Sequence, residues 1–139
     1  MSNLVVIDGD ALKFETNFGA SIVTPTAPCL IQGSGEAEIM NKKICVLGDE
    51  SKVSIAATYT KSTHPTPGTG KIKITALATN QQAAFVLTRT AVIVVGSQFT
   101  AHFIPSSPAK DLQGNSDPNI EPAQGTGTFI NSQSFVTAG

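Results

Sequence analysis

Tryptophan is absent from this chain, tyrosine occurs once, as Tyr59, and only 14% of the residues are charged. Carbohydrate sites lean on exposed aromatic rings, so the shortage counts against a lectin-like surface. Nine Lys and Arg stand against ten Asp and Glu, for a formal net charge of -1. The basic residues form no stripe that could track phosphates, and nucleic acid is not an expected partner. No apolar run approaches the roughly 20 residues of a membrane-spanning helix. Met1-Ser2-Asn3 lacks the basic start and apolar middle of a secretion signal. The expectation is a soluble chain made in the cytoplasm, which leaves the cell, if it does, by a route other than general export. Two cysteines in that setting read as free thiols or metal ligands rather than a disulfide framework.

What remains is an abundance of short β-type runs. Leu4–Ile7, Ala11–Phe14, Ser21–Thr24, Glu36–Met40, Lys43–Leu47, Val53–Ile55, Lys71–Ile74, Ala91–Val95 and Phe99–Phe103 are nearly all bounded by Gly, Pro, Asn or Asp. Lys71-Ile72-Lys73-Ile74 alternates strictly, as a strand with one buried face requires. Helical periodicity is confined to Asn80–Leu87, whose apolar content suits a strand or loop almost as well. The fold class is therefore all-β, in one domain. From Pro105 onward the composition shifts to Pro, Gly, Ser, Asn and Gln. Apolar residues there are too sparse to nucleate a core of their own, so 1–107 is expected to be the folded domain and 108–139 an extended tail. Phe129-Ile130 and Phe135-Val136 offer a short strand pair or a docking segment within it.

Glycine turns recur with a spacing. Gly33-Ser34-Gly35 precedes Glu36–Ile39, Gly68-Thr69-Gly70 precedes Lys71–Ile74, and Gly96-Ser97-Gln98 precedes Phe99–Ala101. Repeated turn-strand units that lean on one another make a rigid, tapering body. Hairpin turns in any sandwich or barrel read the same way, which keeps a small β-sandwich or barrel that binds a carbohydrate or protein ligand as the alternative.

Gly33-Ser34-Gly35 with its following strand, then Asn41-Lys42-Lys43-Ile44-Cys45-Val46-Leu47-Gly48-Asp49, resembles the repeat unit of PAAR-repeat proteins. Together with Gly9-Asp10, Pro67-Gly68-Thr69-Gly70 and Gly96-Ser97-Gln98-Phe99, the layout is similar to the PAAR-like spike tips of extracellular contractile injection systems, of the antifeeding-prophage and Photorhabdus virulence cassette type. Asn41-Lys42 stands where many members carry Asn-Gly, and the Pro-Ala-Ala-Arg tetrad is absent. The resemblance implies a small conical β-domain that caps and sharpens a trimeric, VgrG-like β-helical spike. It implies a non-enzymatic role in piercing the target envelope without embedding in it, cargo toxin as a further partner, and release in a phage-tail-like particle after cytoplasmic assembly. A cap of this kind would pair its base with exposed strand edges, and Lys71–Ile74 is one strand able to do so.

The resemblance also implies one structural metal ion, zinc or iron, between His and Cys side chains near the apex. The soft ligands available are Cys29, Cys45, His64 and His102, a sufficient set for a tetrahedral site. Cys29 lies four residues before Gly33 and His64 four residues before Gly68, so in a repeat reading the two are equivalent and are the expected metal pair. Cys45, between Ile44 and Val46, reads as a small buried hydrophobe, and His102 as a solvent-facing strand residue. Among acidic pairs, Asp8-Gly9-Asp10 and Gly48-Asp49-Glu50 are the ones that suggest acid and base chemistry. Asp-Gly-Asp reads instead as a turn in which the carboxylate bonds its own backbone. No nucleophile elbow, phosphate loop or zinc-protease motif accompanies them.

Overall fold

Alternation decides which side of a strand faces inward, and Lys71–Ile74 behaves accordingly, with both isoleucines buried and both lysines exposed. The computed structural model describes residues 2–84, 90–133 and 136–138, and its regular secondary structure is almost wholly strand. In chain order these are β1 (Ser2–Val5), β2 (Ala11–Phe14), β3 (Asn17–Phe18), β4 (Ser21–Pro25), β5 (Glu38–Ile39), β6 (Lys42–Lys43), β7 (Ile55–Lys61), β8 (His64–Ala76), β9 (Gln82–Ala83), β10 (Val92–Gly96), β11 (Phe99–Ser107) and β12 (Ala123–Ile130). Single 3-10 turns span Asp49–Lys52 and Thr79–Gln81. The second occupies the start of Asn80–Leu87, the stretch with helical periodicity, and β9 follows it at once; residues 85–87 lie outside the described residues.

Seven strands form one antiparallel sheet in the order β2-β12-β11-β8-β7-β4-β3. Only Glu15 and Thr16 separate β2 from β3. The Glu15 N–H donates to the Thr126 carbonyl at 2.9 Å, while the Thr16 carbonyl accepts from the Val23 N–H at 2.8 Å. The two margins of the sheet are therefore one bent stave, and the sheet closes into a barrel, which removes its edges. Three hairpins supply the staves: β2–β3 with β4, β7 with β8, and β11 with β12. Because β8 is bonded to β7 on one side and β11 on the other, the Lys71–Ile74 strand offers no edge to a partner.

The barrel interior is aromatic, and glycine makes the room. Tyr59 packs on Phe103 with centroids 5.1 Å apart, and Phe99 on Phe129 at 5.0 Å. Gly68, Gly70, Gly125 and Gly127 point inward, each facing a ring; a Cβ on any of them would stand 2.6 Å from Tyr59, Phe103, Phe18 or Phe99 respectively. Gly68-Thr69-Gly70, expected as a turn, thus lies mid-strand in β8, where the glycines supply space rather than a bend. Alternating small and large side chains is how a narrow barrel fills without voids.

The stretch expected as a tail is part of this structure. β12 sits between β2 and β11, and Ala109 and Phe129 are core residues. Its sparse apolar groups need no core of their own, since they join one built by the other strands. Between β11 and β12 the chain folds across the end of the barrel. There the Ala109 N–H donates to the Tyr59 hydroxyl at 2.9 Å, and Lys61 Nζ meets Asp117 Oδ2 at 2.7 Å. Burial pushes the Asp117 carboxyl up, but the Lys61 hydrogen bond and charge with the Asn119 N–H outweigh it and hold it below its ordinary range.

Candidate functional site

Three stretches of similar build meet at the other end of the barrel: Val5-Val6-Ile7-Asp8-Gly9-Asp10, Ile44-Cys45-Val46-Leu47-Gly48-Asp49 and Val92-Ile93-Val94-Val95-Gly96-Ser97. Their central residues are bonded in a cycle. The Cys45 N–H donates to Val6 O at 2.8 Å, the Ile93 N–H to Cys45 O at 2.9 Å, and the Val6 N–H to Ile93 O at 2.9 Å. The flanking residues pair in the same rotation, Ile7 with Ile44, Val46 with Val92, and Val94 with Val5, each antiparallel. A flat sheet cannot hold three strands that are each antiparallel to the other two. The arrangement is a ring with approximate threefold order.

Alternation makes this ring a partition. Val6, Cys45 and Ile93 are fully buried in the barrel core, while Val5, Ile7, Ile44, Val92 and Val94 face the other way into a second core with Ile39. Each ring strand then turns at a glycine of positive φ, 85° at Gly9, 109° at Gly48 and 54° at Gly96. Glycine, lacking a Cβ, enters that region at no steric cost. From these turns the chain runs into β2, β7 and β11, one stave of each hairpin. Having traversed its hairpin, each unit lays a short segment against the next ring strand: Ala37 accepts from the Ile44 N–H at 3.0 Å, Ala83 pairs with Val92, and Val136 accepts from the Val5 N–H at 3.0 Å. The chain is thus three interlocked units closed in a circle.

The acidic turns serve this construction. Asp10 Oδ2 accepts from the Ile7 N–H and Asp49 Oδ2 from the Val46 N–H, both at 2.9 Å and both within their own turns. Asp10 Oδ1 takes the Ser132 hydroxyl at 2.7 Å, Asp49 Oδ1 the Ser34 hydroxyl at 2.6 Å, and Asp8 Oδ1 the Gly33 N–H at 2.8 Å. A cleft of about 460 Å³ runs beside the first two turns between Leu30, Gln32, Lys52 and Ile55. The carboxylates on its wall, Asp8 and Asp49, are the ones already bonded to backbone N–H groups.

The expected metal ligands are dispersed. Cys29 packs against the barrel core near the Ile55 end of β7: its carbonyl accepts from the Leu12 N–H, Thr26 close by donates to Ala56 O, and its thiol points to Ala27 O at 3.7 Å. His64 stands past the other end of β7, paired with Lys61 and bonded to the Thr63 hydroxyl. Five residue steps of strand lead from Ala56 to Lys61, roughly 16 Å of rise, which places Cys29 and His64 toward opposite ends of β7. The reason is that Gly33–Gly35 and Gly68–Gly70 are not equivalent, the first lying in a loop against Ile44 and the second inside β8. His102 lies on β11 against Thr75 Oγ1 at 2.9 Å, and Cys45 is walled into the ring. Among the described residues no three His, Cys, Asp or Glu side chains gather as a metal site, and these four do not fit the implied ion.

Burial pushes the Cys45 thiol far above its ordinary range, reinforced by Asp49, Asp10 and Asp8, and raises Cys29 as well. Since the thiolate is the reacting form, native protein is expected to release only one slow equivalent in a thiol assay, from half-buried Cys29, and the second only in guanidinium. Two fast equivalents before unfolding would show that the ring opens readily.

The residues of the ring were visible to sequence reading as separate β-runs, not as a set. The signal that unites them is an apolar-x-apolar-x-Gly pattern, repeated at unequal intervals. A family model described as "Contractile injection system spike tip protein" matches residues 1–139. No curated protein matches the chain.

Proposed function

Because the chain belongs to the contractile injection system spike tip family, we propose that a single copy caps and sharpens the end of a trimeric, VgrG-like spike and enters the target envelope first. The observation that carries this reading is the closed cycle of three units. One chain with threefold order can meet three identical spike chains in like environments, whereas an asymmetric domain would satisfy one and strain two. Closure of the barrel and the bonded turns favour the stiffness such a part requires. Catalysis is not needed for this role, and the acidic pairs are engaged in holding turns. The described aromatic rings are buried or half-buried, which disfavours the ligand-binding module. Among the described residues no helix is long and apolar enough to cross a membrane, in keeping with a part carried by a particle.

Native mass spectrometry of the tip mixed with the purified spike trimer of the same particle is expected to give one tip per three spike chains. Three tips per trimer, or no complex, would overturn the reading.

A further inference from the structure

Resting on the capping role, a second question is which end of the molecule meets the spike. The two ends differ in order. At the barrel's open end two hairpins close in tight turns, at Gly19-Ala20 and Ser62-Thr63, while the third is closed by the long stretch from Pro108 to Pro122 that crosses the opening. The three closures, among the described residues, are thus not alike. At the ring end, the segments 37–39, 82–83 and 136–138 each lie against one ring strand or its lead-in. Among the described residues none of the three has a strand partner on its outer side.

One of these segments also carries a backbone irregularity. The β5–β6 turn is Met40-Asn41, with φ of 56° and 64°. Asparagine accepts the left-handed region, whereas methionine does so only against steric cost. Met40 is 57% exposed, so no core contact explains the choice. Backbone strain of this kind clusters at functional sites, and an adaptable thioether suits a contact surface. Leu47, at the edge of the second ring strand, is exposed as well.

We infer that the ring end is the docking base: each of the three segments adds its free edge to the terminal strand of one spike chain, and Met40 packs into that junction. The barrel end, sealed by its crossing loop, leads. Edge addition gives affinity through main-chain hydrogen bonds, with side chains at the margin setting fit.

The test uses the full chain and the spike trimer of the same particle. A photo-crosslinking amino acid in place of Met40 is expected to yield a tip–spike adduct, and one in place of Leu112 or Ile120, exposed on the crossing loop, none. Adducts from the loop positions without one from position 40 would reverse the orientation. Met40→Asn separates docking from folding, because it relieves the turn: it should raise Tm by about 3 °C while weakening spike binding about tenfold. Unchanged spike affinity in Met40→Asn would sink the inference. Failure of the unmodified chain to bind the trimer would instead sink the capping role itself.

Discussion

Gly125→Ala is expected to lower the free energy of unfolding by about 3 kcal/mol, equivalent to a fall in Tm of roughly 10 °C in a domain of this size. The added Cβ would sit 2.6 Å from Cδ2 of Phe18, over the face of a ring that is itself fully buried. A flexible side chain could swing aside; a packed phenyl in a closed barrel has nowhere to go. The second substitution Phe18→Leu should recover about half of the loss, so that the pair is less damaging than the sum of the singles. Strict additivity in urea unfolding would show that glycine and ring do not meet. Gly68→Ala is the contrasting case. There the nearest atoms to the new Cβ are the Ser107 carbonyl oxygen and the Ala109 nitrogen, both backbone. Trimming Tyr59 should therefore give no rescue, since the stretch crossing the barrel end is itself displaced.

Asp49→Ala and Asp10→Ala are expected to cost about 3 kcal/mol each, and by nearly the same amount, because each removes the acceptor of three protons. Asp49 serves the N–H groups of Val46 and Ser34 and the Ser34 hydroxyl. Asp10 serves Ile7, the Ser132 N–H and the Ser132 hydroxyl. A buried donor left without a partner loses about 1–3 kcal/mol of solvation, and both carboxylates are buried. Asp49→Asn keeps one acceptor oxygen and should fall between wild type and alanine. The readout is denaturant unfolding together with hydrogen exchange, in which the amides of Val46 and Ile7 lose protection first. A large effect at one position and none at the other would show that the two turns are not equivalent parts of one ring.

The all-β class, the alternation of Lys71–Ile74 and the self-bonded Asp-Gly-Asp turn were legible in the sequence because they depend on neighbours one to three residues apart. Alternation fixes a face, and a short carboxylate reaches only its own turn. Burial of Cys45 was legible for the same reason, from its place between Ile44 and Val46. Local signals also misled where one residue serves two purposes. Glycine as a turn and glycine as empty space opposite a ring look alike in a string, so Gly68-Thr69-Gly70 and Gly33-Ser34-Gly35 read as equivalents. The pairing of Cys29 with His64 rests on that equivalence, which register denies. The apolar residues of 108–139 were too few to predict a core, yet Phe129 enters one because β2 and β11 lie on either side of it.

What the tertiary structure alone decided is the circle. Val6, Cys45 and Ile93 are far apart in the chain, and no local preference directs the N–H of one to the carbonyl of the next. Their apolar-x-apolar-x-Gly pattern does not single them out, since Cys29-Leu30-Ile31-Gln32-Gly33 carries it too and forms no ring strand. It becomes a threefold partition only when the three hairpins close as a barrel and bring the three lead-in strands to one axis, where backbone groups excluded from water must find partners and have only one another.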